Sequence, residues 1–148
     1  MKILFYCSLW GMDNFPIRES LAKIKRAGYD GVEFGFPLND PRQREFLNVT
    51  KELELEIIAQ QYDAKGKVFR EYEASFEENL YYLTSFKPAF INSQTGKDYY
   101  SFEENCKLIE KASSIEKETS VLIIHETHRG KFSGLAFHSR LFSFLYSI

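Results

Sequence analysis

Short apolar runs and stretches of helical period alternate along this chain in units of about 30 residues, enough for one strand, one helix and their connections. Residues 2–8 (KILFYCS) are largely apolar and aromatic, which predicts a strand buried on both faces. Ile17, Leu21, Ile24 and Ala27 then recur at helical spacing, with Arg18, Glu19, Lys23, Lys25 and Arg26 on the other faces and Gly28 where that helix stops. The succession repeats with a strand over 29–36 (YDGVEFGF), a helix from Pro41 to about residue 54 capped by Asp40, and a strand over 56–63 (EIIAQQYD). Ser75-Phe-Glu-Glu and Ser101-Phe-Glu-Glu each place a Glu three residues after a Ser, the capping-box signature, and predict helices running to about residues 86 and 118. Residues 88–93 (PAFINS) and 121–125 (VLIIH) supply a fourth and a fifth strand.

Such alternation implies a parallel sheet with helical crossovers, an α/β class. With 44% hydrophobic residues, 148 positions can bury one substantial core and require no second domain. Two architectures fit. A doubly wound sheet carries a Gly-rich phosphate turn after its first strand, but here that position reads SLWGMDN, with Gly11 alone. A (β/α) TIM barrel has eight units and typically about 250 residues. On that reading residues 1–148 are one incomplete barrel domain, truncated after about five parallel strands with four to five helices. Residues 134–148 form a tail that can begin a fifth helix but reaches no sixth strand.

Charge and cysteine content narrow the field. Nineteen Lys and Arg against 21 Asp and Glu leave no positive field of the kind that attracts nucleic acid. Cys7 and Cys106 lie far apart with no C-x-x-C spacing, and read as reduced thiols of a cytoplasmic protein. The N-terminal apolar stretch runs into Asp13-Asn14 without a small-residue cleavage site, and no run reaches the roughly 18 apolar residues of a membrane span. Neither a leader nor a membrane partner is expected.

The chemistry concentrates where the fifth strand stops, at HETHRGK. This is not the H-E-x-x-H zinc helix: the two histidines are three apart, and the preceding VLII reads as strand. Strand alternation puts Glu126 on one face with Ile124 and His128, and His125 on the other with Ile123 and Thr127, the place of a hydrogen-bonded core histidine. A carboxylate at the C-terminal end of a parallel strand stands at the end where α/β folds build their sites; its plain alternative is a solvated group paired with Arg129 or Lys131. The aromatic set Phe69, Tyr72, Phe76, Tyr99 and Tyr100 lacks the basic groove that base stacking needs, and reads as packing.

Residues 28–35 (GYDGVEFG), 91–105 (INSQTGKDYYSFEEN) and 125–133 (HETHRGKFS) together resemble the N-terminal part of the xylose isomerase-like TIM-barrel superfamily, the sugar phosphate isomerase/epimerase group. The likeness is to members carrying H-E-T-H-R-G-[RK], and spans the chain to about Ser133. It implies a divalent metal, Mn²⁺, Mg²⁺ or Zn²⁺, held in the barrel mouth by carboxylates and a His from strands five to eight. Only the strand-five ligand falls within this chain, on Glu126. The metal would polarise substrate oxygens while a carboxylate moves a proton between adjacent carbons of a ketose or aldose, with Glu126 as ligand and acid/base. Trp10, Glu33, Gln61 and Gln94 would line the site for a sugar or sugar phosphate, with His128 and Arg129 as donors to its oxygens. Gln94 stands where such relatives often show N-S-H-T-G, and its neutral amide cannot titrate.

The resemblance therefore implies an isomerase/epimerase-like chain expected to be inactive unless complemented, with edge strands open to homo-oligomerisation. A small α/β binding or dimerisation domain is the alternative from another class. An endonuclease IV-like phosphodiesterase ranks third, because that class needs several metal-binding histidines and a basic surface, and this chain has three His in all.

Overall fold

The computed structural model describes residues 2–12 and 14–134. Five strands alternate with four helices: β1 (Tyr6–Ser8), α1 (Ile17–Arg26), β2 (Gly31–Phe34), α2 (Gln43–Glu52), β3 (Glu56–Gln61), α3 (Phe69–Thr84), β4 (Phe90–Ser93), α4 (Phe102–Thr119) and β5 (Ile123–His125). A 3₁₀ turn, Phe132–Gly134, follows. The expected fifth helix of the tail falls on 135–148, outside the described residues.

All neighbouring strands are parallel, and their spatial order is their chain order, β1-β2-β3-β4-β5. This order decides between the two architectures. Parallel crossovers are right-handed, so a sheet that always advances in one direction collects every helix on the same face. A doubly wound sheet reverses direction once and covers both faces. Here Val32, Phe34, Ala59, Ile91 and Ile123 face the helices and form one cluster with Leu21, Ile24, Phe46, Val49, Phe76, Leu80, Leu108, Ala112 and Ile115. Phe34 is its centre, with ring centroids 4.4 Å from Phe46, 4.9 Å from Phe86 and 5.1 Å from Phe36. Among the described residues the opposite face carries no helix.

Two expectations are corrected by the fold. The first strand is neither seven residues long nor buried on both faces: only Tyr6–Ser8 pairs, all half-buried, and Ile3 and Phe5 are each 62% exposed. Among the described residues it is a sheet edge with one neighbour, so apolar content alone could not bury it. The third helix begins six residues before Ser75, at Phe69, because Phe69, Tyr72, Phe76, Leu80 and Leu83 already sustain one apolar stripe. Glu71 accepts the Lys67 N–H at 2.8 Å near its start, while Ser75, inside the helix, accepts the Lys65 N–H at 3.1 Å.

The second copy of the signature does cap. Ser101 Oγ accepts the Glu104 N–H at 3.1 Å, and Glu104 Oε2 accepts the Ser101 N–H at 2.9 Å. Ser101→Ala is expected to lower stability by about 1 kcal/mol, and Ser75→Ala by less than half of that, measured as urea midpoints. Equal losses would contradict the assignment of Ser101 as the cap.

Candidate functional site

Alternation along each strand sends one set of side chains to the uncovered face. At its lower end Tyr6 lies across Gly31 and its hydroxyl donates to Glu56; a Cβ at Gly31 would run into the Tyr6 ring. At the C-terminal end the face becomes polar. Asn92 Nδ2 donates to Glu33 Oε1 at 3.4 Å and to Glu126 Oε2 at 3.2 Å, and Gln94 Nε2 lies 3.5 Å from the same Glu126 oxygen. Trp10 Nε1 donates to Gln60 Oε1 at 2.9 Å, and its ring tilts against Tyr62 at 5.6 Å. Five strands thus bring two carboxylates, three amides and an indole to one rim. A cleft of about 210 Å³ adjoins it, lined by Trp10, Tyr62, Gly35 and Arg42 among others.

Trp10, Glu33, Gln94 and Glu126 meet at this rim. Gln61 does not. It is 1% exposed on the helix side, and Gln60 takes the expected place. The sequence offers two consecutive glutamines, and only the register of β3, with Gln60 opposite Asn92, separates them. Asn92 was missed as well; a polar residue at the centre of PAFINS, two before Gln94, is the signal that marks it. His128 and Arg129 lie beyond the end of β5, where strand alternation no longer governs. Both are exposed, and His128 Nδ1 is 2.7 Å from the Arg129 carbonyl oxygen.

Behind the sheet a buried chain runs Gln61–Ser93–Thr95–His125. Ser93 Oγ donates to Gln61 Oε1 at 3.0 Å, lies 2.8 Å from Thr95 Oγ1, and Thr95 Oγ1 lies 2.7 Å from His125 Nδ1. Each hydroxyl has one proton, so with Ser93 donating to Gln61, Thr95 must donate to Ser93 and His125 must donate through Nδ1–H. Burial pushes the His125 pKa down to about 4, against an opposing pull from Glu116. His125 is thus a neutral core residue that fixes the back of β5, as its strand face implied.

The loop after β4 and the turn after β5 meet above this end. Asn105, fully buried in the first turns of α4, accepts the Lys97 N–H at 3.1 Å and donates to the carbonyls of Lys97, Tyr100 and Ser101 at 3.0, 3.1 and 3.0 Å. Gly96, at φ 70°, leaves no room for a Cβ beside Asn105 Oδ1. Phe132, 1% exposed, packs beside Gly96, and Ser133 Oγ donates to the Glu126 carbonyl at 2.7 Å. This packing buries Lys131 to 7% exposure, and burial with the adjacent Lys97 brings its pKa down to about 8.

The described residues do not by themselves make the metal centre that the sequence resemblance implies. Glu33 and Glu126 both accept amide N–H groups, and among the described residues no three His, Cys, Asp or Glu side chains converge. A tightly held divalent ion takes three or more protein donors. Cys7 and Cys106 are separate free thiols.

Comparison with solved structures fits this architecture. Over 97% of its length the chain superposes on 64% of 3-keto-D-glucoside 4-epimerase from E. coli, with a TM-score of 0.71 and 16% identity. Over 88% it superposes on 59% of an AP endonuclease of family 2 from Brucella melitensis, with a TM-score of 0.61 and 15% identity. The chain is α/β, five parallel strands with four helices among the described residues, and is similar in fold to part of a TIM barrel. The chain spans less than two thirds of either neighbour. No protein-family model matches the sequence, and no curated protein does. Among the described residues no helix is long and apolar enough to cross a membrane.

Proposed function

We propose that the uncovered face is a carbohydrate site and that Glu126 moves a proton between adjacent carbons of a ketose or aldose, the chemistry of an isomerase or epimerase. One observation carries the reading: Asn92 and Gln94 both engage Oε2 of Glu126, while no hydrogen bond among the described residues occupies Oε1. Such a carboxylate is held in orientation by one oxygen and offers the other to substrate. Gln60, Asn92 and Gln94 supply neutral donors and acceptors suited to hydroxyl groups, and Trp10 with Tyr62 supplies a flat apolar wall for a sugar ring. The likeness to an epimerase acting on a keto-glucoside supports the class. A divalent ion would need donors beyond these residues, so the proton movement is assigned to Glu126 alone, and no turnover is expected from these five units unaided.

The test is binding. Titration with a panel of ketoses and aldoses is expected to shift the side-chain amide NMR signals of Gln60, Asn92 and Gln94. Glu126→Gln is expected to weaken the interaction by about tenfold, the worth of one charge-assisted hydrogen bond. Amide signals indifferent to every sugar, or a Glu126→Gln protein that binds as the parent does, would refute it.

A second reading is favoured by β5, an edge strand among the described residues, where Ile124 and the preceding Leu122 are 40% and 50% exposed: association with another copy of this chain would cover them. A concentration-dependent dimer abolished by Ile124→Lys would support that role. The phosphodiesterase reading has the AP endonuclease likeness behind it, but His125 is engaged by Thr95 and the exposed His128 by the Arg129 carbonyl.

A further inference from the structure

Trp10 borders two spaces. It donates to Gln60 at the rim and it also lines the neighbouring cleft, so one ligand held against it can occupy both. The indole is 62% exposed but fixed: Tyr62 tilts against it, and the Tyr62 hydroxyl donates to the Gly35 carbonyl at 3.2 Å. Gly35 makes that seat possible, because a Cβ there would run into the Tyr62 ring. Phe36 adds a further aromatic wall, with the Arg42 guanidinium 4.8 Å over its ring. Arg42 brings its own counter-ion, bonding Asp40 at 2.9 and 2.8 Å, so these walls favour a neutral flat group over an ion. The cleft of about 210 Å³ has room for one six-membered ring; an apolar cavity of roughly 150 Å³ already takes benzene. A recess of about 30 Å³ shares Leu9, Phe36 and Arg42 with the cleft and is also lined by Ser20. Ser20 is 2% exposed, and its hydroxyl has no hydrogen-bond partner among the described residues, an arrangement that costs stability until something pairs with it. The recess is the size of a single water or hydroxyl group.

We propose that cleft and recess form a subsite for a phenolic ring carried on one oxygen of the sugar. The ring lies against Trp10, Tyr62 and Phe36, and its hydroxyl pairs with the Ser20 hydroxyl in the recess. The subsite rests on the carbohydrate reading for the sugar half of the ligand, but the contacts of the ring stand on the cleft alone.

Trp10 is the sole tryptophan of the chain, so its emission reports on the cleft directly. The probes are methyl, phenyl and 4-hydroxyphenyl β-D-glucoside, with 4-methoxyphenol as the ring alone. Phenyl glucoside is expected to bind about tenfold more tightly than methyl glucoside and to shift the emission, and 4-hydroxyphenyl glucoside about fivefold more tightly again, the worth of one hydrogen bond. Leu9→Phe, which fills the cleft, is expected to bring the phenyl-to-methyl ratio to about one. Ser20→Ala is expected to erase only the fivefold step and, having lost the unpaired hydroxyl, to melt at or above the parent temperature. Aryl glucosides that bind no better than methyl glucoside, or that keep their advantage in Leu9→Phe, overturn the subsite. A fivefold step that survives Ser20→Ala overturns the pairing in the recess. If methyl glucoside binding depends on Glu126 while the ring adds nothing, the subsite falls and the carbohydrate reading stands. If 4-methoxyphenol binds and is lost in Leu9→Phe while Glu126→Gln leaves every glucoside unchanged, the subsite stands and the carbohydrate reading falls.

Discussion

Asn105→Asp is expected to destabilise the protein by about 3 kcal/mol, a large effect for a single polar substitution. The two side chains have almost the same shape, so no cavity opens. The difference lies in the protons: the two N–H protons of Asn105 Nδ2 are shared among three carbonyl oxygens, of Lys97, Tyr100 and Ser101, and a carboxylate has none to offer. Asp would replace those donated bonds with contacts between oxygens carrying negative charge, inside a site with no solvent exposure. The bond from the Lys97 N–H to Oδ1 survives the change, which is why the figure is not larger. Urea unfolding of the parent and variant measures the loss. A midpoint unchanged within error would show that the loop is held by other contacts. Because the same loop carries Gln94, the variant is also expected to lose sugar binding before it unfolds.

Acidification supplies the second large effect. His125 has a pKa of about 4 in the folded protein against an ordinary value of 6.5, so between those limits the unfolded chain binds the extra proton. Stability is fully present above pH 6.5 and falls as the pH drops toward 4. The whole loss is roughly 3 kcal/mol, because a group that differs in pKa between the folded and unfolded chain contributes about 1.4 kcal/mol for each pH unit separating the two values. The depressed carboxylates lose their contribution lower down: Glu52, held below its ordinary 4.5 by Arg18, and Asp40, held below 3.8 by Arg42. The interval from pH 6.5 to 4.5 therefore belongs to His125. Denaturant midpoints through that interval should slope in the parent and flatten in His125→Gln. An equal slope in both proteins would remove His125 from the account.

Most of the fold was legible because strand and helix periods alternate without ambiguity and each unit is short. The strand starts at β2, β3 and β4 were within two residues of expectation. What failed did so for lack of partners in view. The apolar run at the N-terminus could not reveal that, among the described residues, β1 has a neighbour on one side only. The Ser75 signature is identical to the one at Ser101, and only the stripe beginning at Phe69 distinguishes a cap from a mid-helix serine. For the site, alternation along β5 separated Glu126, which meets Asn92, from His125, which meets Thr95. Gln60 against Gln61 turned on a one-residue register, which the pairing with β4 decides. Lys131 was visible only as a partner for Glu126. Its burial depends on Phe132 packing beside Gly96, a contact between segments 36 residues apart that no local pattern encodes.

The sequential strand order has a kinetic consequence. Every ladder joins positions 25 or 32 residues apart, Tyr6 with Gly31 at one end of the sheet and Ile91 with Ile123 at the other. No pairing among the described residues waits for the chain termini to find each other, and loop-closure entropy grows slowly over such spans. Refolding should therefore propagate from any unit to the next, with a rate set by one strand–helix–strand step rather than by the length of the whole chain.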